Sequence, residues 1–170
     1  MLQDYDPKPR AFIVDHNLRS DARSEALAAK HFAEDLGFSV DILTWQNNHP
    51  YTGIQEKARK ARYALMGQAC RELGIEYLLT GHTQDDQAET LYMRYQRGTG
   101  WRGAAGIAPS VYAPLWPELA GVTLVRPLLR HTRRALRDYN RVHALIWAED
   151  PSNQDRKYAR IRTREKLQSK

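Results

Sequence analysis

The stretch Ile75-Glu76-Tyr77-Leu78-Leu79-Thr80-Gly81-His82-Thr83-Gln84-Asp85-Asp86-Gln87-Ala88-Glu89-Thr90 decides how the chain folds. Ile75 to Thr80 is an apolar, strand-like run, and Ala88, Leu91, Tyr92 and Tyr95 then recur at helical spacing. The short polar turn between them falls at the carboxyl edge of a parallel sheet, the edge at which open α/β folds bind ligands. Three carboxylates (Asp85, Asp86, Glu89), the His82 imidazole and two amides crowd this one helix start. A cap needs only one such side chain. In the plain reading Thr83 caps, Asp85 and Asp86 favour the helix dipole, and the rest is solvated surface. In the other reading the cluster is a working site.

Outward from this stretch, strands and helices alternate. Ala11-Phe12-Ile13-Val14 predicts a buried parallel strand ending at Asp15. Residues 20–36 predict a helix with Ser20 or Ser24 as cap, an apolar face of Leu27, Phe32 and Leu36, and Gly37 as the stop. Phe38 to Leu43 alternates as a strand does, and Thr52-x-x-Gln55 has the capping-box pattern for a long helix ending near Leu73-Gly74. Gly98 to Pro117 reads as loop, Val122 to Val125 as a strand, and residues 132–146 as a helix. The alternation implies an α/β domain, a layered parallel sheet with helices on both faces.

Composition fits one globular domain. At 170 residues the chain can bury a modest core, and no apolar run approaches the roughly 20 residues that span a bilayer. Acidic and proline-containing first residues do not form a signal peptide. Cys70 is the single cysteine, so no internal disulfide forms; a buried structural role and a reducing cytoplasmic compartment are expected. The net charge of +6 is lopsided: residues 121–170 hold 13 Lys/Arg against 5 Asp/Glu, whereas residues 1–120 are slightly acidic. Most of these cations are arginines, which suit bidentate phosphate contacts. A solvated helix face is the plain alternative, and a nucleic-acid surface the functional one.

The block Gly81-His82-Thr83-x-Asp85-Asp86-Gln87-Ala88-Glu89-Thr90 closely resembles the second signature of the tRNA(Ile)-lysidine synthetases, members of the PP-loop ATP pyrophosphatase group. Further stretches match the family in the same order: Asp15-His16-Asn17-Leu18-Arg19, Gln55-Glu56-x-Ala58-Arg59-x-x-Arg62-Tyr63, Arg97-Gly98-Thr99-Gly100, Arg126-Pro127-Leu128-Leu129 and Glu149-Asp150-Pro151-Ser152-Asn153. The resemblance covers nearly the whole chain but departs from the family at its start. The strand and Ser-Gly-Gly-x-Asp-Ser phosphate loop that open the family's domain have no counterpart, so the chain resembles an N-terminally truncated piece. Residues 1–150 then correspond to a partial catalytic domain, and 151–170 to a basic linker towards further domains. No Cys-x-x-Cys pair is present, unlike the tRNA-thiolating relatives that use cysteines.

The resemblance implies an enzyme that uses ATP and Mg²⁺ to adenylate C2 of the wobble cytidine in tRNA(Ile) with a CAU anticodon. Free lysine then displaces AMP to give lysidine. It implies Asp86 as the carboxylate that orients the amine and takes its proton, supported by Asp85 and Glu89, with Arg62 as a phosphate contact. His16, Arg19, His82 and Arg97 are the expected nucleotide-side residues, and Asp85 the metal ligand. Gln55, Glu56, Arg126, Arg160, Arg162 and Arg164 are the expected tRNA contacts. Residues 160–164 match the family's Arg-Asn-Arg-Ile-Arg only loosely. A homodimer without membrane attachment completes the expectation. The alternative is an inert fragment that keeps an RNA-binding or assembly surface. Without the phosphate loop, these 170 residues alone are expected to bind ATP weakly at best.

Overall fold

The structure, a computed structural model, describes residues 9–18, 21–46, 53–100, 105–112, 117–145, 147 and 159–168. They fall into two compact units, Met1–Leu78 with Tyr112–Thr123, and Leu79–Val111 with Leu124–Lys170.

In the first unit β1 (Arg10–Asp15) pairs in parallel with β2 (Ser39–Thr44), Arg10 opposite Ser39 and Asp15 opposite Thr44. Parallel strands need a crossover of a dozen or more residues, and α1 (Ala22–Asp35) supplies 14. Gly37, at φ +88°, follows α1 in the left-handed conformation that stops helices. The start of α1 differs from expectation. Asp21 occupies the N-cap without a side-chain cap bond, and the Ser24 hydroxyl donates back to the Asp21 carbonyl. Ser20 lies outside the described residues. Leu27, Phe32 and Leu36 stay exposed while Ala26 is buried, so the apolar face of α1 is narrower than its spacing suggested.

Helix α2 (Ile54–Glu72) buries Tyr63, Met66, Gly67 and Cys70, which share one helical face. A 3₁₀ turn at Pro117–Leu119 packs against that helix. The approach is so close that a Cβ on Gly67 would stand 2.1 Å from the Glu118 carbonyl oxygen. Cys70 is fully buried, as expected, and its burial raises the thiol pKa, against a smaller opposing effect of Arg71. The Thr52–Gln55 capping box expected at the start of α2 rests on a residue outside those described. Gly53, at φ +65°, is the N-cap and no side chain caps it; Thr52 lies outside the described residues.

A second sheet has the order β3 (Tyr77–Leu79), β5 (Thr123–Val125), β4 (Ser110–Tyr112). Strand β4 corrects the reading of Gly98 to Pro117 as loop throughout: three residues among glycines and prolines carry no legible alternation. Beyond β3, the second unit holds α3 (Gln84–Gln96), α4 (Arg133–Val142) and α5 (Ala159–Gln168), with α5 packed on α3. The supposed apolar face of α3 is not its buried one. Ala88 and Tyr95 are exposed, and the residue α3 buries is Glu89, only 1% exposed.

Candidate active site

Thr83 starts α3 as a capping box. Its hydroxyl accepts from the Asp86 amide at 3.4 Å, while the Asp86 carboxylate accepts from the Thr83 amide at 2.7 Å. Asp85 reaches the neighbouring helix: its Oδ2 accepts from the Arg133 backbone N–H at 2.8 Å, satisfying an amide at the start of α4. The Gln84 amide donates to the His131 carbonyl, so the two helix starts are tied together. Arg133 then reaches the other two acids, donating from Nη1 to Glu89 Oε1 and from Nη2 to Asp86 Oδ1, both at 2.8 Å. Arg133 therefore touches every carboxylate of the Gly81–Thr90 stretch.

Helix α5 adds two more guanidiniums. Arg160 donates to Glu89 Oε2 at 2.7 Å and to Asp86 Oδ1 at 2.8 Å, and Arg164 donates to Glu89 Oε1 at 2.8 Å. Burial pushes the Glu89 carboxyl up, but hydrogen bonds from Arg133, Arg164 and Arg160 outweigh it and hold the group below its ordinary value. Asp86 behaves alike: burial raises its pKa, and the Thr83 hydroxyl and amide, then Arg133 and Arg160, bring it down overall. Arg133 loses solvation, yet the bond to Glu89 and the charges of Glu89 and Asp86 raise its pKa. Asp86, Glu89 and Arg133 are thus each held towards their charged forms.

A carboxylate offers about four lone-pair sites. Asp86 fills all of them, with Thr83 N and Oγ1 on Oδ2 and two guanidiniums on Oδ1. Glu89 fills three. Asp86, expected as the acceptor of the amine's proton, is therefore fully hydrogen-bonded in this structure. A saturated carboxylate with a depressed pKa is a weak base, and its strength is in holding cations.

In the first unit, His16 follows the end of β1. Arg62 of α2 donates from Nε to His16 Nε2 at 3.3 Å, with Nη2 at 3.1 Å. Arginine cannot accept, so His16 Nε2 is the acceptor and the imidazole is neutral with its proton on Nδ1. Burial lowers the His16 pKa, Arg62 lowers it further, and Asp15 opposes them. Trp45 meets the ring edge-on at 6.2 Å. Asn17, at φ +50°, donates its amide to Asp15 Oδ1 at 2.8 Å, which fixes the turn past the strand. Glu56, on the first turn of α2, lies 3.9 Å from Lys60.

The expected sites therefore divide. The second unit gathers Asp85, Asp86, Glu89, Arg160 and Arg164; the first joins His16 to Arg62. Gln55 and Glu56 are exposed on the first turn of α2, Arg19 lies outside the described residues, and His82 Nδ1 is 2.9 Å from the Thr80 hydroxyl. Arg126 requires correction as a tRNA contact. It is 6% exposed and its Nη1 donates to the Ala108 carbonyl, bracing the segment before β4. Arg160 and Arg164 likewise turn inward to carboxylates instead of presenting a free basic face. Asp85 serves α4 as an amide acceptor, and among the described residues no group of three or more His, Cys, Asp or Glu side chains forms a cation site. The residue that sequence reading missed is Arg133. It stood among the ten arginines of residues 121–170 with nothing in its spacing to single it out.

Polar groups assembled past strand ends, on an α/β frame, define a domain of the nucleotide-handling α/β class. The chain belongs to the PP-loop domain family, whose model matches residues 2–170. It is 43% identical over 158 residues to a tRNA(Ile)-lysidine synthase of Hyphomonas neptunium, covering 93% of this chain and 42% of that protein. The synthase of Ruegeria pomeroyi is 43% identical over 91% of this chain and 35% of its own length. That of Mesorhizobium japonicum is 42% identical, over 92% and 35%. The chain thus spans about two fifths or less of these relatives. The fold is also similar to the U34-tRNA thiolase of Methanococcus maripaludis, with a TM-score of 0.66 at 17% identity over 94% of this chain and 62% of that one. No described helix is long and apolar enough to cross a membrane.

Proposed function

We propose that this chain is part of the catalytic domain of an ATP-dependent enzyme that joins free lysine to C2 of the wobble cytidine of tRNA(Ile) with a CAU anticodon, through an adenylated tRNA. The observation that carries the reading is the acid–arginine cluster of the second unit. A reaction whose nucleophile arrives as an ammonium needs fixed negative charge to orient it, and Asp86 and Glu89 are held ionised. The ε-ammonium enters by exchange, replacing Arg160 Nη2 on Asp86 Oδ1 while Arg160 keeps Glu89 through Nε; it then gives a proton to water, and the neutral nitrogen bonds to C2 as the C2–O bond to AMP breaks. The guanidinium Nη2 so freed is available to the carboxylate of the amino acid.

ATP is the nucleotide that an ATP-binding PP-loop domain implies. His16 and Arg62 fit its neighbourhood, as a neutral ring and a cation placed past the end of β1. The acids of the second unit do not fit Mg²⁺ as placed, since Asp86 faces four hydrogen-bond donors and Asp85 an amide. Mg²⁺ therefore belongs with the ATP phosphates, its natural oxygen partners. The buried free thiol of Cys70 suits the cytoplasm.

Incorporation of labelled lysine into a tRNA(Ile) transcript, by this segment in the context of its longer protein, tests the reading. Incorporation that needs ATP and the CAU anticodon is expected. Binding of the transcript without incorporation would leave only an RNA-binding fragment.

A further inference from the structure

Arg133 is the first residue of α4, and α3 holds both its backbone and its side chain. Its amide donates to Asp85 Oδ2, and the Gln84 amide at the start of α3 donates to the His131 carbonyl two residues before it. The guanidinium then spans two acids three apart on one helix, with Nη1 on Glu89 Oε1 and Nη2 on Asp86 Oδ1. Arg160 spans the same two acids from α5, and its Nη2 meets that same Asp86 oxygen. The two arginines differ in anchorage. The Arg133 side chain is 26% exposed, and its backbone is fixed by the same acid run; the Arg160 side chain is 37% exposed and comes from another helix.

An ammonium that replaces Arg160 Nη2 on Asp86 Oδ1 therefore arrives beside Arg133. Two nitrogens that each lie 2.8 Å from one oxygen are within about 6 Å of each other. At that range a like charge favours loss of a proton, and a neighbouring cation is one of the ways an amine is made nucleophilic. The charged groups that the described residues bring to the cluster are Asp85, Asp86 and Glu89 from α3, Arg133 from α4, and Arg160 and Arg164 from α5. Asp86 attracts the ammonium, but three guanidiniums already match the three carboxylates. The incoming cation thus meets no surplus of negative charge to keep it protonated.

We propose that Arg133 is a positioning residue that readies the amine: it stays on Asp86 when Arg160 Nη2 leaves, and its charge drives a proton from the lysine ε-ammonium to water. The N–H bond breaks with its electron pair left on nitrogen, which then attacks. The inference rests on the reading of the site as one that transfers lysine, and it adds the group that turns the bound amine into a nucleophile.

The test uses the longer protein, incubated with ATP and a tRNA(Ile) transcript until the adenylated tRNA has formed. Labelled lysine is then added over a range of pH, and the transfer rate at saturating lysine is read apart from the KM for lysine. In Arg133→Gln the rise of the rate with pH should move up by about one unit, leaving transfer about tenfold slower at neutral pH. The KM for lysine should stay level or fall, because a repelling cation is gone. Arg133→Lys keeps a cation in place and should hold the parent pH profile at a lower rate. A profile of Arg133→Gln that coincides with the parent's overturns the proposal. A raised KM with an unmoved profile overturns it too, since that marks a residue that only holds the acids in shape. The unsubstituted protein tests the same point whatever the stability of the variants. Its transfer rate should level off well below about pH 10.4, the ordinary ε-amine value, and a tenfold rise per unit continuing to about pH 9.5 contradicts the proposal. Absence of transfer at every pH removes the lysine reading and this inference with it, whereas transfer without the shift removes the inference alone.

Discussion

Glu89 shows what a residue's spacing can hide. In the sequence it is one of three acids at a helix start, compatible with solvent and with the helix dipole. In the structure it is the most buried residue of α3, held by three guanidiniums. Burial of a carboxylate is tolerated only with such partners. Glu89→Gln leaves those guanidiniums uncompensated and should destabilise the chain by about 3 kcal/mol, the low end for breaking a buried pair, because the arginines keep some solvent contact. Urea denaturation measures it, and a loss under about 0.5 kcal/mol would show a surface-like pair. The pH dependence has a definite sign. Asp86 and Glu89 titrate below their ordinary values of 3.8 and 4.5, so their contribution is fully present above those values and is lost as pH falls through the lower folded ones. The parent chain should therefore lose stability steeply below about pH 4.5, and Glu89→Gln less steeply.

At the scale of elements, legibility followed length. Helix α2 was expected from the Thr52-x-x-Gln55 pattern to end near Leu73-Gly74, and the structure ends it at Glu72. The three-residue strand β4 was not expected, because a pattern of period two needs more residues to register. Residues 160–166 carry cations at helical spacing, but only the fold decides that Arg160 and Arg164 meet acids. Gly67 is a position where packing dictates the residue. Alanine there would drive its Cβ to 2.1 Å from a backbone oxygen, which cannot rotate away as a side chain can. Gly67→Ala should cost about 1–3 kcal/mol by overpacking and loosen the 3₁₀ turn from α2. Unaltered thermal unfolding, with unaltered hydrogen exchange at Val122, would show that the contact is not close in solution.

For the molecule as a whole, the fold class and the family were legible in the motif order, because PP-loop domains carry their polar residues in contiguous stretches just past strand ends. The employment of those residues was not legible. Asp85 and Asp86 each serve a helix start, and Arg126 braces a loop. Arg133, distant in sequence, joins all three acids. Long-range contacts of this kind leave no local periodicity. The central claim is that the ionised Asp86 receives the amine by exchange with Arg160. The most direct measurement is labelled-lysine incorporation into tRNA(Ile) by the longer protein carrying Asp86→Asn. Circular dichroism and RNA affinity serve as controls, since an asparagine keeps an oxygen for the Thr83 amide. With fold and RNA binding retained, incorporation should fall by about 10²–10³-fold, the range for losing one preorganised electrostatic contact. Near-normal incorporation under the same conditions would contradict it and transfer the amine to Asp85, the acid of the three with most lone-pair sites open.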